Sequence, residues 1–324
     1  MAVAAVFVVV FALPGLGTSQ AAPWAAAAGR TPPASPAVPW AGGAGQTAPA
    51  GSPARSSPVT SPPAVPSSPA ATPPPAAGAR QRADPLGGAA ASYLAGRSGS
   101  VLAAVYDISS GQTWILGHGR PQAEASVVKL DILETLLAQH GDGLPAGDQA
   151  LARQMIEDSD NDAATSLWDQ VGGASAIHSY NAAAGLTHTT LSPCVRCAGF
   201  PWPGWGLSST LPADQIALLR RLTEPGSVLP ASARRYALSL MENVTPAQRW
   251  GVSGGGPAQA TVALKNGWLP LNPFGTDWQI NSVGWISGLG RDYLMAVLST
   301  GNPDEQYGID TISRLGAIVW AGLG

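Results

Sequence analysis

Five runs rich in apolar and β-branched residues predict the strands of this protein. The runs at 101–108 and 112–117 flank the tripeptide Ser109-Ser110-Gly111, and a Gly-containing connection of this length predicts a β-hairpin. The other three runs come late in the chain, at 260–268, 277–286 and 292–299.

Helical patterns fill most of the chain between the two sets of strands, and one more helix is predicted before the first set and one after the second. The stretch VVKLDILETLLAQ, which follows Ser126, is apolar nearly all round and predicts a buried central helix. Asp84 followed by Pro85 predicts the start of an earlier helix. Residues 190–210 have no period, and a loop of this length in a compact domain is often functional. Further helices are predicted at 148–157, 162–170, 174–184, 211–223, 231–243 and 303–320.

The order of these elements is helix, two strands, several helices, three strands and a closing helix. A parallel sheet would need strands and helices that alternate regularly, so this order favours an α+β fold with one five-stranded antiparallel sheet. We expect terminal helices on one face of the sheet and a helical subdomain on the other. Sites in such folds often lie between two lobes.

The first 83 residues differ in composition from the rest. Residues 1–13 form an apolar run too short to span a bilayer, and the small residues after it resemble a signal-peptidase site. Residues 1–22 are therefore predicted to be a signal peptide, with an uncleaved anchor as the alternative. Residues 23–83 are rich in Pro and Ala and contain no Asp or Glu, which predicts a disordered spacer. The folded domain is expected at 84–324, and a lipoprotein is not expected because no cysteine lies near the start.

Composition narrows the class of partner. Only 11% of the 324 residues are charged and the net charge is −3, so the chain offers no basic surface and nucleic acid is not expected as a partner. We expect a small-molecule or cell-wall peptide substrate, a monomer, and no stable membrane span beyond the signal segment. The expected location is secreted or extracytoplasmic, with association to the cell wall or anchoring by the signal segment as open alternatives.

Two lysines stand out because they are the only ones among 17 Lys and Arg residues. Unlike Arg, a desolvated Lys can lose its proton and act as a base. Lys129 lies three residues after Ser126, and residues at i and i+3 share a helix face, so the amine can reach the hydroxyl. A serine needs such a base to become a nucleophile. The spacing S-x-x-K also arises by accident, however, and is weak by itself.

Two further motifs contain serine, lysine or asparagine side chains that could act together with Ser126 and Lys129. Ser159-Asp160-Asn161 lies between two predicted helices, where this string is also a common turn and N-cap. Lys265-Asn266-Gly267 lies near the end of the strand-like run TVALKNGW, where a charged residue before a Gly turn is equally ordinary. The three motifs together, in this order and context, are far more specific than any one of them.

The motifs S-x-x-K, S-D-N and K-x-G resemble those of the penicillin-recognising serine enzymes, above all the class A β-lactamase-like hydrolases. The resemblance covers about residues 85–324. It implies a β-lactamase/transpeptidase-like α+β fold, in which helices flank a five-stranded antiparallel sheet beside a reduced all-helical subdomain. It also implies a serine hydrolase that forms an acyl-enzyme, with neither a metal nor a cofactor.

The resemblance assigns catalytic roles to four residues. Ser126 would be the nucleophile and Lys129 the base, or part of the base, that activates it. Ser159 would relay a proton to the departing nitrogen, and Lys265 would supply positive field near Ser159 and a substrate carboxylate.

Other residues would bind the substrate. Asn161 would hydrogen-bond its amide side chain, and Asn266, Gly267 and Trp268 would belong to the strand that borders it. Backbone N–H groups of Ser126 and Trp268 would form the oxyanion hole.

The sequence departs from the family in ways that affect turnover. Class A enzymes carry a glutamate, on the loop between S-D-N and K-T-G, that drives deacylation through a water. Here no Asp or Glu occurs between Asp169 and Asp214, so hydrolysis of an acyl-enzyme is expected to be slow. Glu124 and Glu157 lie near the motifs in sequence, and both are expected to be solvated. Asn266 stands where the family usually has a hydroxyl.

Three active alternatives stay open: a weak β-lactamase, a D,D-carboxypeptidase-like cell-wall peptidase, and a relative that acts on another amide or ester. The alternative from a different class is a non-catalytic module that binds β-lactams or peptidoglycan.

The long loop contains a C-x-x-C motif and two tryptophans. Cys194 and Cys197 are expected to form a small disulfide that holds the loop, since zinc would need two more ligands and a thioredoxin-like role needs a βαβ context. Trp202 and Trp205 either line the cleft or pack within the loop, and both interpretations stay open.

Overall fold

The computed structural model describes residues 82–272 and 275–324. The predicted signal peptide at 1–22, and all but the last two residues of the predicted spacer at 23–83, lie outside this part of the chain.

The strands of the described part form one large sheet and one small pair. In chain order they are β1 (Ser100–Asp107), β2 (Gln112–Leu116), β3 (Gln122–Ala123), β4 (Ser209–Thr210), β5 (Thr261–Pro270), β6 (Trp278–Gly288) and β7 (Arg291–Asn302). The large sheet has the order β2-β1-β7-β6-β5, with every neighbouring pair antiparallel. This confirms the predicted five-stranded antiparallel sheet. The small sheet pairs β3 with β4 and was not predicted, because two-residue strands leave no pattern in the sequence.

Helices cover both faces of the large sheet. In chain order they are α1 (Ala89–Leu94), α2 (Lys129–His140), α3 (Ala146–Glu157), α4 (Asn161–Val171), α5 (Gly173–Ala184), α6 (Pro212–Thr223), α7 (Ala231–Glu242) and α8 (Glu305–Gly322). Successive side chains of a strand point to opposite faces, and β7 shows the result. Met295 belongs to one buried core with Ile312 of α8, whereas Leu294 and Ala296 belong to a second core with residues of helices α2 to α7.

The central helix α2 is buried as its composition predicts. Every residue from Lys129 to Leu137 is buried, including the charged residues Asp131 and Glu134. The helix is preceded by a turn of 3₁₀ helix over Ala125–Val128, so the serine of S-x-x-K lies one turn before the α-helix proper.

The first helix begins later than the sequence suggests. The carboxylate of Asp84 accepts a hydrogen bond from the backbone N–H of Leu86 at 2.8 Å, which forms a turn and not a helix cap. Gly87 and Gly88 follow, and the helix begins only at Ala89. The prediction of a helix start at Asp84 was therefore wrong.

Candidate active site

Ser126 lies in a segment whose backbone is strained and anchored from the sheet. Ala125 has a φ of +49°, a conformation that costs a non-Gly residue about 1–3 kcal/mol. The side-chain amide of Asn281 on β6 donates to the carbonyl oxygens of Ala123 and Glu124, at 2.8 and 2.9 Å. These two hydrogen bonds fix the residues directly before the half-buried Ser126.

Gly267 on the edge strand β5 lies against the backbone of the same segment. A Cβ atom at this position would lie 2.8 Å from the backbone nitrogen of Ser126 and 2.9 Å from that of Val127. Only glycine allows this approach, so the strand passes directly beside the N–H of Ser126. Trp268 follows Gly267 on β5, which brings its backbone into the same neighbourhood.

The Lys129 amine is fully buried and points at the S-D-N segment. Its Nζ donates to the backbone oxygen of Ser159 at 2.7 Å, to Ser159 Oγ at 3.1 Å and to Asn161 Oδ1 at 2.8 Å. Burial lowers the pKa of Lys129 well below its ordinary value; the charge of Lys265 lowers it further, and that of Asp160 opposes the shift. Within the described residues, Ser126 is not a hydrogen-bond partner of Lys129 Nζ.

Ser159 connects the two lysines. The Lys265 amine lies 2.9 Å from Ser159 Oγ and also donates to the backbone oxygen of Asn266 at 2.8 Å. Burial lowers the pKa of Lys265 to about 7. Ser159 itself has a φ of +57°, so a second strained residue lies at this point.

The S-D-N segment serves the fold as well as the site. Asp160 caps α4 by accepting from the backbone N–H of Ala163 at 2.7 Å, as the turn-and-cap interpretation of this string predicts. The cap fixes where α4 begins and thereby presents Ser159 to both lysines and Asn161 to Lys129.

Asn266 does not face the same groups. Its amide donates to the backbone oxygens of Gln248 and Trp250, at 2.6 and 3.1 Å, and the side chain is fully buried. Both of its N–H donors are therefore used within the protein. Asn266 faces away from the group around Lys265 because neighbouring side chains of a strand point to opposite sides. The expected substrate-binding role of the Asn266 side chain is not supported by this geometry. Trp268 is half-buried and meets Trp250 edge-to-face, with ring centroids 6.0 Å apart.

The long loop lies on the other side of Lys129. Cys194 and Cys197 form a disulfide in the structure. Trp205 is buried, and its ring centroid lies 5.0 Å from Lys129 Nζ. The Trp205 ring therefore lies against Lys129, a residue of the S-x-x-K motif, and does not pack only within the loop.

The expectation that Glu124 is solvated was wrong. Its side chain is 0% exposed, and neither carboxyl oxygen has a hydrogen-bond partner among the described residues. Burial raises its pKa well above the ordinary value, and the nearby carboxyls of Asp131 and Asp214 raise it further. Glu157, by contrast, is half-buried and forms an ion pair with Arg153 at 3.5 Å.

The sequence gives no sign of the role of Asn281, and it leaves the role of Trp205 open. Asn281 lies in a strand-like run with no motif around it, and only the strand register, which places it opposite Gly267, shows its role. Trp205 was noticed, but nothing in the sequence indicates that it faces Lys129. Both contacts join segments that are far apart in the chain.

No three His, Cys, Asp or Glu side chains between residues 82 and 272 or 275 and 324 group closely enough to hold a metal ion. Over the same residues, no helix combines the length and the apolar character needed to cross a bilayer.

The chain is similar to known proteins both in sequence and in structure. Residues 144–323 match the model of the β-lactamase enzyme family, a match that begins after Ser126 and Lys129. A protein of Mycobacterium tuberculosis named "Putative lipoprotein LppW" is 29% identical over 234 residues, which are 69% of this chain and 71% of that protein.

Solved structures show the same fold at lower identity. The class A β-lactamase of Mycobacterium abscessus has a TM-score of 0.60 and 23% identity, over 71% of this chain and 96% of that one. A β-lactamase of Chitinophaga pinensis has a TM-score of 0.63 and 18% identity, over 72% and 97%. A point mutant of PBP-A, solved as an acyl-enzyme complex with penicillin G, has a TM-score of 0.59 and 19% identity, over 71% and 92%.

Proposed function

The chain belongs to the β-lactamase enzyme family, and from this we propose that it is an exported serine hydrolase in which Ser126 is acylated by a β-lactam or a related amide. Export is supported by the predicted signal peptide and by the disulfide, since disulfides persist in oxidising compartments. The lipoprotein name of the mycobacterial relative is in keeping with that location.

One observation carries the proposal: two lysine amines converge on one hydroxyl. Lys129 Nζ and Lys265 Nζ lie 3.1 and 2.9 Å from Ser159 Oγ. Burial lowers the pKa of both amines, and that of Lys265 to about 7. An amine that loses its proton near neutral pH can act as a base, which a permanently charged group cannot.

The neutral form of Lys129 has the groups that a base needs. A neutral amine keeps two N–H donors and one lone pair. The backbone oxygen of Ser159 and Asn161 Oδ1 can only accept, so they take the two N–H groups. The lone pair is then left for a hydroxyl, either that of Ser159 or, once substrate is bound, that of Ser126 one helical turn away.

Acylation then moves one proton from the nucleophile to the leaving nitrogen. Ser126 Oγ bonds to the carbonyl carbon of the substrate and gives its proton to the neutral Lys129 amine. When the tetrahedral intermediate collapses, the C–N bond breaks and the nitrogen takes a proton from Ser159 Oγ. Lys129 returns the proton to Ser159, while Lys265 supplies positive charge beside the same hydroxyl.

The oxyanion of that intermediate needs donors next to Ser126. The close approach of Gly267 places β5 directly beside the backbone N–H of Ser126. We assign the oxyanion hole to the N–H groups of Ser126 and Trp268. Losing one such donor typically costs about 100- to 1000-fold in rate.

Deacylation is proposed to be slow. Water must attack the ester carbonyl of Ser126, and a positioned carboxylate normally activates it. The loop over Lys129 contains no Asp or Glu and presents the indole of Trp205 there instead. Glu124 is a poor replacement for the missing group, because its carboxyl is fully buried and burial raises its pKa well above the ordinary value, which favours the neutral form that cannot act as a base.

The same lack of a carboxylate favours a second candidate, a non-catalytic module that binds β-lactams or peptidoglycan peptides without turnover. A D,D-carboxypeptidase-like peptidase would use the same Ser126 chemistry on a peptide that ends in D-alanyl-D-alanine.

Turnover assays separate these candidates. The protein is mixed with a chromogenic cephalosporin, and separately with a peptide that ends in D-alanyl-D-alanine, with Ser126→Ala as the matched control. We expect a burst of cephalosporin opening equal to the amount of protein, followed by a slow phase, and neither in the variant. Fast steady turnover would contradict slow deacylation, and release of alanine would assign the peptidase. No burst and no release would leave the binding module.

A further inference from the structure

The disulfide loop is built around the residue that precedes Trp205. Gly204 packs directly on Cys197 Sγ and the Cys194 carbonyl, where a Cβ atom would clash. Its backbone N–H donates to the carbonyl oxygen of Val195, inside the disulfide ring, at 2.7 Å. The disulfide therefore fixes the point at which the chain turns toward Trp205.

A hydrogen bond of the indole and the packing of the next residue hold Trp205 over the Lys129 amine. Its Nε1 donates to Thr165 Oγ1 of α4 at 3.1 Å, and its side chain is 2% exposed. The ring centroid lies 5.0 Å from Lys129 Nζ. Directly after it, Gly206 packs against Ala125, the residue that precedes Ser126.

The indole has two opposing effects on this amine. Its π-face attracts a cation, which is worth about 0.5–2 kcal/mol. It also excludes water, and full desolvation shifts the pKa of a buried amine down by as much as several units. Burial is the largest cause of the lowered pKa of Lys129, with Lys265 lowering it in the same direction and Asp160 opposing it, and the indole of Trp205 is part of what buries the amine. Removing the indole should therefore make Lys129 harder to deprotonate.

We propose that Trp205, held in place by the Cys194–Cys197 disulfide, is a positioning residue that keeps the Lys129 amine dry and so able to act as a base. The functional part of this inference rests on the proposed acylation of Ser126. The indole thus keeps Lys129 available as the base of acylation. Because it covers the site, it also keeps water away from the acyl-enzyme.

The chain offers an unusually direct test, because it contains only two lysines. Labelling with ¹³C-lysine gives two side-chain signals in an NMR titration, assigned with Lys265→Arg. We expect Trp205→Ala to raise the titration midpoint of Lys129 by about one pH unit and leave Lys265 nearly unmoved. Trp205→Phe keeps an aromatic cover and should leave both midpoints in place. An unchanged Lys129 midpoint in Trp205→Ala would overturn the proposal.

A matched control separates cover from general loosening. Trp320 on α8 is also buried and lies beneath Arg291, on the other core of the domain. Trp320→Ala should lower stability without moving the Lys129 midpoint. A shift of equal size in this variant would assign the effect to destabilisation and overturn the proposal.

The disulfide is tested without touching Trp205. Cys194→Ser with Cys197→Ser, or reduction of the wild-type protein, should raise the Lys129 midpoint in the same direction. Neither change should add to the shift already present in Trp205→Ala. A full additional shift would mean that the disulfide acts by another route and would overturn its part of the proposal.

The acylation rate connects the midpoint to function. Its pH profile should move with the Lys129 midpoint, and a rate lowered equally at every pH would contradict the link. The proposed function fails separately, if the wild-type protein forms no Ser126 adduct at any pH.

Discussion

Lys265 Nζ and Ser159 Oγ lie 106 residues apart in the sequence and 2.9 Å apart in space. Lys129 Nζ reaches the same hydroxyl at 3.1 Å. A strand, an interhelical turn and the central helix thus deliver one group each to a single point. The convergence of the chain's two lysines on one serine therefore supports the proposed site.

The two lysines should respond differently to arginine. Arg keeps the positive charge but cannot act as a base. We expect Lys129→Arg to slow acylation by about 10²–10⁴-fold, the usual contribution of a general base, and Lys265→Arg to slow it much less. The rate is followed as growth of the adduct mass after mixing with penicillin. Because both side chains are fully buried, each variant controls for the size of the guanidinium in the other. Equal losses would indicate steric damage instead of base catalysis.

A single methyl group should block the site at Gly267. A Cβ there meets the backbone nitrogens of Ser126 and Val127 and must displace them. We expect Gly267→Ala to slow acylation by about 100- to 1000-fold, the cost of one lost oxyanion donor.

Gly147 supplies the control for this variant. It lies in α3 with open space where its Cβ would be, so Gly147→Ala should leave acylation unchanged and raise stability by up to about 1 kcal/mol. Wild-type acylation by Gly267→Ala would show that β5 does not border the reacting group.

Asn281 should act on the nucleophile from a distance. Asn281→Asp removes both donors to the Ala123 and Glu124 carbonyls and places negative charge beside them. We expect a stability loss of about 1–3 kcal/mol, together with a clear fall in the acylation rate.

Asn302 is matched to Asn281 in burial and bonding. Its amide donates to the carbonyl oxygens of Trp278 and Ser299, at 2.9 and 3.1 Å, away from the nucleophile. Asn302→Asp should cost similar stability in chemical denaturation and leave the folded protein's acylation rate nearly intact. Equal effects of the two variants on the acylation rate would show that Asn281 does not position the nucleophile.

The buried carboxyls should make stability depend on pH. Burial raises the pKa of Asp131 to about 7, above the value of about 4 in an unfolded chain. Because the folded state then binds a proton that the unfolded state releases, stability is lost as pH rises from about 4 to about 7. Asp131→Asn cannot ionise and keeps an oxygen to accept from Asn181.

Thermal unfolding at two pH values measures this effect. Asp131→Asn and wild type should melt alike near pH 4. At pH 8 the variant should melt about 2–4 °C higher for each kcal/mol removed, as expected for a domain of this size. A difference of the same size at both pH values would mean that ionisation of Asp131 does not matter.

Local pattern was enough to predict the main elements of the fold. The five-stranded sheet and the buried helix α2 follow from the strand-like runs and from the apolar stretch after Ser126. An element that is buried on both sides consists mostly of apolar residues, so its sequence shows the burial directly. The start of α1 was missed at Asp84, where a side-chain turn competed with the helix cap.

Contacts between distant segments could not be predicted in the same way. Glu124 is buried because the loop returns over it, with its backbone N–H donating to the Ser208 carbonyl at 2.6 Å beside the β3–β4 pair. The same return places Trp205 on Lys129. Charge alone suggested a solvated glutamate, since a sequence does not show which loop will fold over which residue.

The most direct test of the whole account is the mass and position of a penicillin adduct. The protein is mixed with penicillin G, quenched in acid, digested and mapped by mass spectrometry, alongside Ser126→Ala. We expect one added penicillin, located on the peptide that contains Ser126, long-lived in the wild-type protein and missing in the variant. An adduct on another residue, or an equal adduct in Ser126→Ala, would contradict the assignment of Ser126 as the nucleophile.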